Sequence, residues 1–247
     1  MKRTRLAPVV ALAFMAGAAA AQPLPPGFVH LRDADPSIAQ DMRYATTNNF
    51  TGHPLPGYEA GACILQRPAA LALKRVQADL ARKRLSLKVY DCYRPTRAVA
   101  AMAHWAADPH ATPDTGRFYP GLRKDRLFAL GYIASHSAHS RGIAIDLTVV
   151  PEGAQQPPFD RNAHDGSCAG PASKRGPDDS LDMGTSFDCF SVRSWTRAGG
   201  LSVDQRQHRS LLVQAMARHG FVNYKREWWH FSYPAAVPRR AYDFVVR

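Results

Sequence analysis

One aspartate stands inside an apolar run near the middle of the chain, in the stretch RGIAIDLTVV. Alternation predicts a strand there, with the odd-numbered residues from Ile143 to Val149 on one face and Ala144, Asp146 and Thr148 on the other. Because a buried carboxylate without a partner is costly, Asp146 needs an arginine, a helix end, a protonated histidine or a metal ion beside it. The small side chain of Ala144 leaves room for such a group. The fold must therefore place a compensating charge next to a core strand.

Further elements follow from periodicity along the rest of the chain. Apolar stripes predict helices over residues 68–85, 95–107 and 203–219, and alternation predicts a second strand over 85–91. The aromatic segment 221–234 is typical of a strand or hairpin edge. Residues 151–188 are rich in Gly, Pro, Ser and Asp, and we expect them to form a long loop that is held down on the rest of the domain. Together these elements predict an α+β fold, with a small antiparallel sheet flanked by helices.

The N-terminus has the layout of a secretory signal peptide. A basic start, an apolar stretch and a run of alanines predict a signal over residues 1–21, followed by a single domain over residues 22–247. No later stretch is long and apolar enough to span a membrane, so we expect an exported, periplasmic protein. The formal net charge is +12, but the basic residues are scattered, which argues against a nucleic-acid-binding protein.

The chain has four cysteines and no C-x-x-C pair, which makes a thiolate zinc site improbable. In an exported protein an even number of cysteines favours disulfides. Three connectivities are possible, and the sequence does not decide among them. The pairing that closes the shorter loops, Cys63–Cys92 with Cys168–Cys189, is the one we favour.

Three side chains have the chemistry of a catalytic zinc site with one open position, namely His139, Asp146 and His230. Glu227, one of only three glutamates, lies three residues before His230 and could act as a general base beside the metal. In a regular strand these two residues would face opposite ways, so the role requires a bend between them. The alternative is a surface glutamate paired with Lys225 or Arg226.

Several motifs occur in order along most of the chain. SAHSRGIAID (137–146) and EWWH (227–230) stand with DCYRP (91–95), RYATTNNFTG (43–52) and DMGTSFD (182–188). Together they resemble the zinc D-alanyl-D-alanine dipeptidases of the vancomycin-resistance type, in the peptidase M15 family. These enzymes share the fold of the hedgehog signalling domain. This chain departs from the pattern in its cysteines, its exported start and the long loop after Val150.

The resemblance implies a role for each matching residue. One zinc ion per chain would be bound by His139, Asp146 and His230, with Glu227 as general base and acid. Arg94 would stabilise the oxyanion, for which a fixed guanidinium is well suited. Five further residues would contact the substrate: Asp91 and Asp182 at its ammonium group, Ser137 and Tyr44 along its length, and Trp228 as a wall of the pocket.

The activity implied is zinc-dependent hydrolysis of a small-molecule dipeptide, D-alanyl-D-alanine, to two D-alanines in peptidoglycan metabolism. Two alternatives remain open at this point. One is a zinc D,D-carboxypeptidase that trims peptidoglycan stem peptides with the same chemistry in a wider cleft. The other is a zinc-stabilised binding module without turnover, because a fold alone does not establish activity.

Overall fold

The two strands predicted by alternation lie side by side in the main sheet of this computed structural model, which describes residues 23–110, 115–160, 165–236 and 240–247. The predicted signal peptide, residues 1–21, lies outside the described residues. In chain order the strands are β1 (Phe28–His30), β2 (Ala39–Gln40), β3 (Ile64–Gln66), β4 (Leu85–Asp91), β5 (Ala144–Pro151), β6 (Val222–Asn223) and β7 (His230–Ser232).

The main sheet has five strands in the order β2-β4-β5-β7-β6, and β1 pairs with β3 in a separate two-stranded sheet. Strands β4, β5, β7 and β6 pair with one another in antiparallel fashion, as predicted. The edge strand β2 differs, because it runs parallel to β4. Its two residues are too few to show any alternation, so periodicity gives no signal for them.

Five α-helices are formed by the described residues: α1 (Leu31–Ala34), α2 (Arg67–Ala81), α3 (Thr96–Ala107), α4 (Thr115–Phe118) and α5 (Val203–Ala217). α2 and α5 contact each other and pack on β4 and β5, where Val76 and Leu212 meet the buried face of Ile145 and Leu147. None of the helices in these ranges has the length and apolar character that crossing a bilayer requires.

The predicted helices are confirmed, with small differences at their ends. α2 stops before residue 85 because Arg84 has a φ of 57°, in the left-handed region that a helix cannot contain. α5 begins with a capping box between Ser202 and Gln205 and ends just before Gly220, whose φ is 88°. α3 begins at Thr96, directly after Pro95.

Both favoured disulfides are present, Cys63–Cys92 and Cys168–Cys189. The long segment after β5 is also fastened by a buried cation on β4. The ammonium group of Lys88, which is 1% exposed, contacts Asp178 at 2.8 Å as well as Asp179 and Gln156. This segment is therefore held against the sheet, as the sequence analysis predicts.

We expect Lys88→Met to lower the free energy of unfolding by about 3 kcal/mol, because it leaves the largely buried Asp179 without a cation and leaves Asp178 with Arg43 alone. Urea unfolding followed by circular dichroism measures the change. Arg82→Met is the control, since the Arg82 side chain is 74% exposed in its pair with Asp79. Its loss should stay below about 1 kcal/mol. Equal losses in the two variants would contradict a clamping role for Lys88.

Candidate metal centre and active site

Two neighbouring strands and the turn before them bring three ligand atoms together. Asp146 on β5 lies directly opposite His230 on β7, and His139 belongs to a 3-10 turn, Ala138–Arg141, just before β5. His230 Nδ1 is 3.0 Å from Asp146 Oδ1, and His139 Nε2 is 3.3 Å from Asp146 Oδ2. The two imidazole nitrogens are 3.1 Å apart. The register of the sheet therefore builds the cluster.

This triangle fits a tetrahedral metal ion. Zinc bound to nitrogen and oxygen at about 2.0–2.1 Å places adjacent ligands about 3.3 Å apart, close to the distances seen here. His139 Nδ1 lies 2.7 Å from the carbonyl oxygen of Cys92, to which it donates its hydrogen, so Nε2 presents a lone pair to the cluster. Among the described residues, this is the one group of three or more His, Cys, Asp or Glu side chains with such geometry.

The electrostatics of Asp146 explain how a carboxylate stands in a core strand. Its residue is 2% exposed, and burial alone would raise its pKa. The neighbouring His139 and His230 outweigh burial and hold the pKa of Asp146 well below its usual range. Asp146 is therefore ionised and available as a ligand.

Glu227 reaches the same cluster because the chain bends where the sequence required a bend. The Glu227 N–H donates to the carbonyl of Tyr224 at 2.9 Å, and the His230 N–H donates to the carbonyl of Glu227 at 3.3 Å. This turn leaves Glu227 Oε2 3.8 Å from His230 Nδ1, facing the cavity described below. Burial raises the pKa of Glu227 to about 7.

Arg94 lies on the other side of the cluster, just after β4. Its Nη2 is 2.8 Å from Asp91 Oδ2 and 3.4 Å from Asp146 Oδ2. Its guanidinium also stands over the ring of Tyr44, 4.9 Å from the centroid. Two carboxylates and an aromatic face thus fix the orientation of this cation.

These groups surround one cavity of about 240 Å³. Besides the three ligand residues, Glu227 and Arg94, its lining includes Tyr44 and Ser137, two residues predicted to contact substrate. The Ser137 hydroxyl also caps the turn that carries His139, because it accepts a hydrogen bond from the His139 backbone N–H at 3.2 Å. The volume lies below the roughly 300–1,000 Å³ of pockets for drug-sized ligands.

Three other residues predicted to contact substrate do not line this cavity. Asp91 is fully buried behind the cluster, where it accepts hydrogen bonds from Tyr58 and Arg94, and it does not line the cavity. Asp182 lies at a different cavity and is bonded there to α5 through Gln205.

Trp228 lines the same second cavity as Asp182, and its indole N–H donates a hydrogen bond to Thr185 at 2.8 Å. Its neighbour Trp229 lines the site instead. Adjacent residues of a turn point in different directions, and sequence alone did not show which tryptophan turns inward.

A further carboxylate, that of Asp188, faces the cavity and was missed by the sequence analysis. Its Oδ2 accepts a hydrogen bond from the Tyr44 hydroxyl at 2.7 Å, and burial raises its pKa well above the usual range. Its φ of 55° lies in the left-handed region, which non-glycine residues occupy rarely. The sequence feature that could have identified Asp188 is its position at the end of the DMGTSFD motif, which begins with Asp182.

We expect Asp146→Asn to lose metal affinity while keeping the fold. The loss should exceed the roughly 10–100-fold cost of removing a residue that only supports a ligand. Competition with a chromogenic chelator measures zinc affinity, and thermal unfolding of the metal-free protein reports the fold. Asp204→Asn, at an exposed position of α5, is the control. Parent-like zinc affinity in Asp146→Asn would exclude Asp146 as a ligand.

Comparison with known proteins gives a consistent result. A family model described as Peptidase M15, D-ala-D-ala dipeptidase, matches residues 25–158 and 171–247. A D-alanyl-D-alanine dipeptidase of Enterococcus faecalis is 33% identical over 221 residues, which cover 89% of this chain and 98% of that protein. Proteins with the same description from Streptomyces coelicolor and Escherichia coli are 31% and 29% identical, over 85% and 82% of this chain and 93% and 82% of their own lengths.

Among solved structures, the vancomycin-resistance D,D-pentapeptidase VanY in complex with Zn(II) aligns with 14% identity and a TM-score of 0.37. The alignment covers 72% of this chain and 77% of VanY, and the score is too low to establish a shared fold. The sequence comparisons are sufficient by themselves. Because one family model matches most of its length, this chain belongs to the D-Ala-D-Ala dipeptidase family of peptidase M15.

Proposed function

We propose that this chain is a zinc-dependent dipeptidase that hydrolyses D-alanyl-D-alanine to two D-alanines in peptidoglycan metabolism. The observation that carries the proposal is the convergence of the His139–Asp146–His230 triangle, a carboxyl group and a guanidinium on one small cavity. Family membership and the activity named for a relative at about one-third identity support the choice of substrate.

One zinc ion per chain would be held by His139, Asp146 and His230. When bound, it supplies a Lewis acid that polarises the scissile carbonyl and lowers the pKa of water. The donor set supports this metal, since two imidazoles and one carboxylate with an open fourth position are typical of catalytic zinc sites.

Glu227 is placed to move protons. Its carboxyl group faces the cavity next to His230, within reach of a water molecule that attacks the peptide carbonyl. We assign it as the base that takes a proton from that water and as the acid that returns a proton to the leaving nitrogen. A carboxyl group in this position can serve both steps because the two reacting atoms belong to the same peptide bond.

Arg94 is assigned to the oxygen of the scissile carbonyl, where negative charge develops. Its guanidinium is fixed before reaction by Asp91 and by the face of Tyr44, so little reorganisation is needed when charge appears. Asp91 thus serves as a positioning residue for Arg94, with no substrate contact of its own.

Asp188 supplies a binding site for the free ammonium group of a dipeptide. Its carboxylate lines the cavity and is oriented by the Tyr44 hydroxyl. A buried carboxylate gains most from a cationic partner, and an acylated or longer peptide offers no ammonium at that position. The small cavity and this carboxylate favour the dipeptidase over a D,D-carboxypeptidase with a wider cleft.

We further propose that residues 1–21 are removed on export and that residues 22–247 act as a single domain in the periplasm. The tripartite N-terminus and the two disulfides support this, because disulfides persist in oxidising compartments. N-terminal sequencing of protein recovered from a periplasmic extract should begin at Gln22. An intact Met1 in that extract would contradict the proposed cleavage.

Release of D-alanine tests the activity. The zinc-loaded mature protein should hydrolyse D-Ala-D-Ala, with loss of activity in the presence of chelator and in Glu227→Gln. N-acetyl-D-Ala-D-Ala and a wall pentapeptide should be poor substrates. Turnover of these blocked or longer peptides would favour the carboxypeptidase. No turnover of any substrate by zinc-loaded protein would leave the binding module.

A second variant tests the ammonium site. Asp188→Asn should raise KM for D-Ala-D-Ala by about 10-fold or more, the cost of a lost hydrogen bond to a charged group. Selectivity against the N-acetylated dipeptide should fall at the same time. Asp182→Asn is the matched control from the same motif and should keep the parent KM, because Asp182 lies at another cavity. The reverse result would restore Asp182 as the ammonium ligand.

A further inference from the structure

We propose that the two disulfides brace separate halves of this active site. Cys63–Cys92 positions the groups that orient the metal ligand His139, and Cys168–Cys189 positions the substrate carboxylate Asp188. The four cysteines are therefore positioning residues and do more than stabilise the fold. The second half of this inference rests on the proposed function, whereas the first concerns metal binding alone.

Cys92 lies at the centre of the metal half. Its carbonyl oxygen is 2.7 Å from His139 Nδ1 and accepts the hydrogen bond that leaves the Nε2 lone pair facing the ligand triangle. Its neighbour Asp91 contacts His139 and Arg94. The place of this carbonyl decides which tautomer of His139 is favoured and where its ring points, which are properties that tune metal affinity.

The disulfide anchors Cys92 just where the chain leaves the sheet. β4 ends at Asp91, and the N–H of Arg94 is bonded to the carbonyl of His139 at 3.3 Å, within the site itself. Cys63, in contrast, directly precedes β3, and the side chain of Gln40 accepts a hydrogen bond from its N–H at 2.9 Å. The S–S bond, with both cysteines buried, thus ties the Cys92 carbonyl to a second sheet.

Cys189 has the corresponding place in the substrate half. It lies between two residues that line the cavity, Asp188 and Phe190. Asp188 has a left-handed φ of 55°, a conformation that the surrounding structure must maintain. Between the two cysteines the chain forms only one short 3-10 turn, Ala172–Lys174, and the Lys88 contacts hold this segment at Asp178 and Asp179, well before Asp188.

Cys168 lies outside the part of the chain that the family model matches, since that match is interrupted between residues 158 and 171. The bond therefore joins a stretch beyond the family pattern to the residue next to Asp188. Such a link restricts the position of the Asp188 backbone without contacting substrate, as expected of a positioning residue.

Two paired variants of the full mature chain separate these roles, Cys63→Ala/Cys92→Ala and Cys168→Ala/Cys189→Ala. Zinc affinity is measured by chelator competition without substrate, and KM and kcat are measured with D-Ala-D-Ala at saturating zinc. All assays are run well below the Tm of each variant. Each pair serves as the matched control for the other, because both remove one disulfide.

The first pair should weaken zinc binding by about 10–100-fold, as loss of a group that supports a ligand does, and should keep the parent KM once saturated with zinc. The second pair should keep the parent zinc affinity and raise KM by about 10-fold or more, because the ammonium carboxylate is displaced. Either pair is expected to lower Tm as well, so Tm alone does not decide.

The inference is overturned if both pairs lower Tm but keep parent zinc affinity and KM, or if both change the two quantities alike. Where an alanine pair does not fold, the corresponding valine or serine pair is measured in the same way, because chemical reduction of the parent would break both disulfides at once. If the parent hydrolyses no dipeptide, the proposed function and the substrate half fail together. Zinc affinity then still decides the metal half.

Discussion

The buried charge of Asp146 is the constraint on which the rest of the site depends. A carboxylate in a core strand is stable only with compensation, and here that compensation comes from two imidazoles and Arg94. These partners come from three places in the chain and meet only because β4, β5 and β7 are adjacent. The fold and the site are thus specified by the same strand pairings.

The partners of Asp146 also hold one another. Asp91 contacts both Arg94 and His139, and each of these contacts Asp146 in turn. In such a network each group is oriented by at least two others, so deletions within it are not expected to be additive. Rigid positioning of this kind suits catalysis, in which donors and charges must be in place before the transition state forms.

Much of this arrangement could be predicted from the sequence where the chain is regular. β4 has the bounds predicted from alternation, and Asp146 lies on the face opposite the isoleucines as expected. Periodicity fails where the chain turns. Trp228 and Trp229 follow Glu227 in a turn, and Asp188 has a left-handed backbone. The two-residue period of a strand and the 3.6-residue period of a helix do not apply to such residues, so they could not predict that Trp229 and Asp188 face the cavity.

The hydrogen bond from His139 to the Cys92 carbonyl has a consequence for the order of events in the cell. In a reducing compartment the chain would lack the Cys63–Cys92 bond, and the carbonyl that selects the tautomer of the imidazole would be held less firmly. Zinc would then bind more tightly after oxidation than before it, and an exported chain would reach full activity only outside the cytoplasm. A hydrolase timed in this way would spare dipeptide that the cell still needs for wall synthesis.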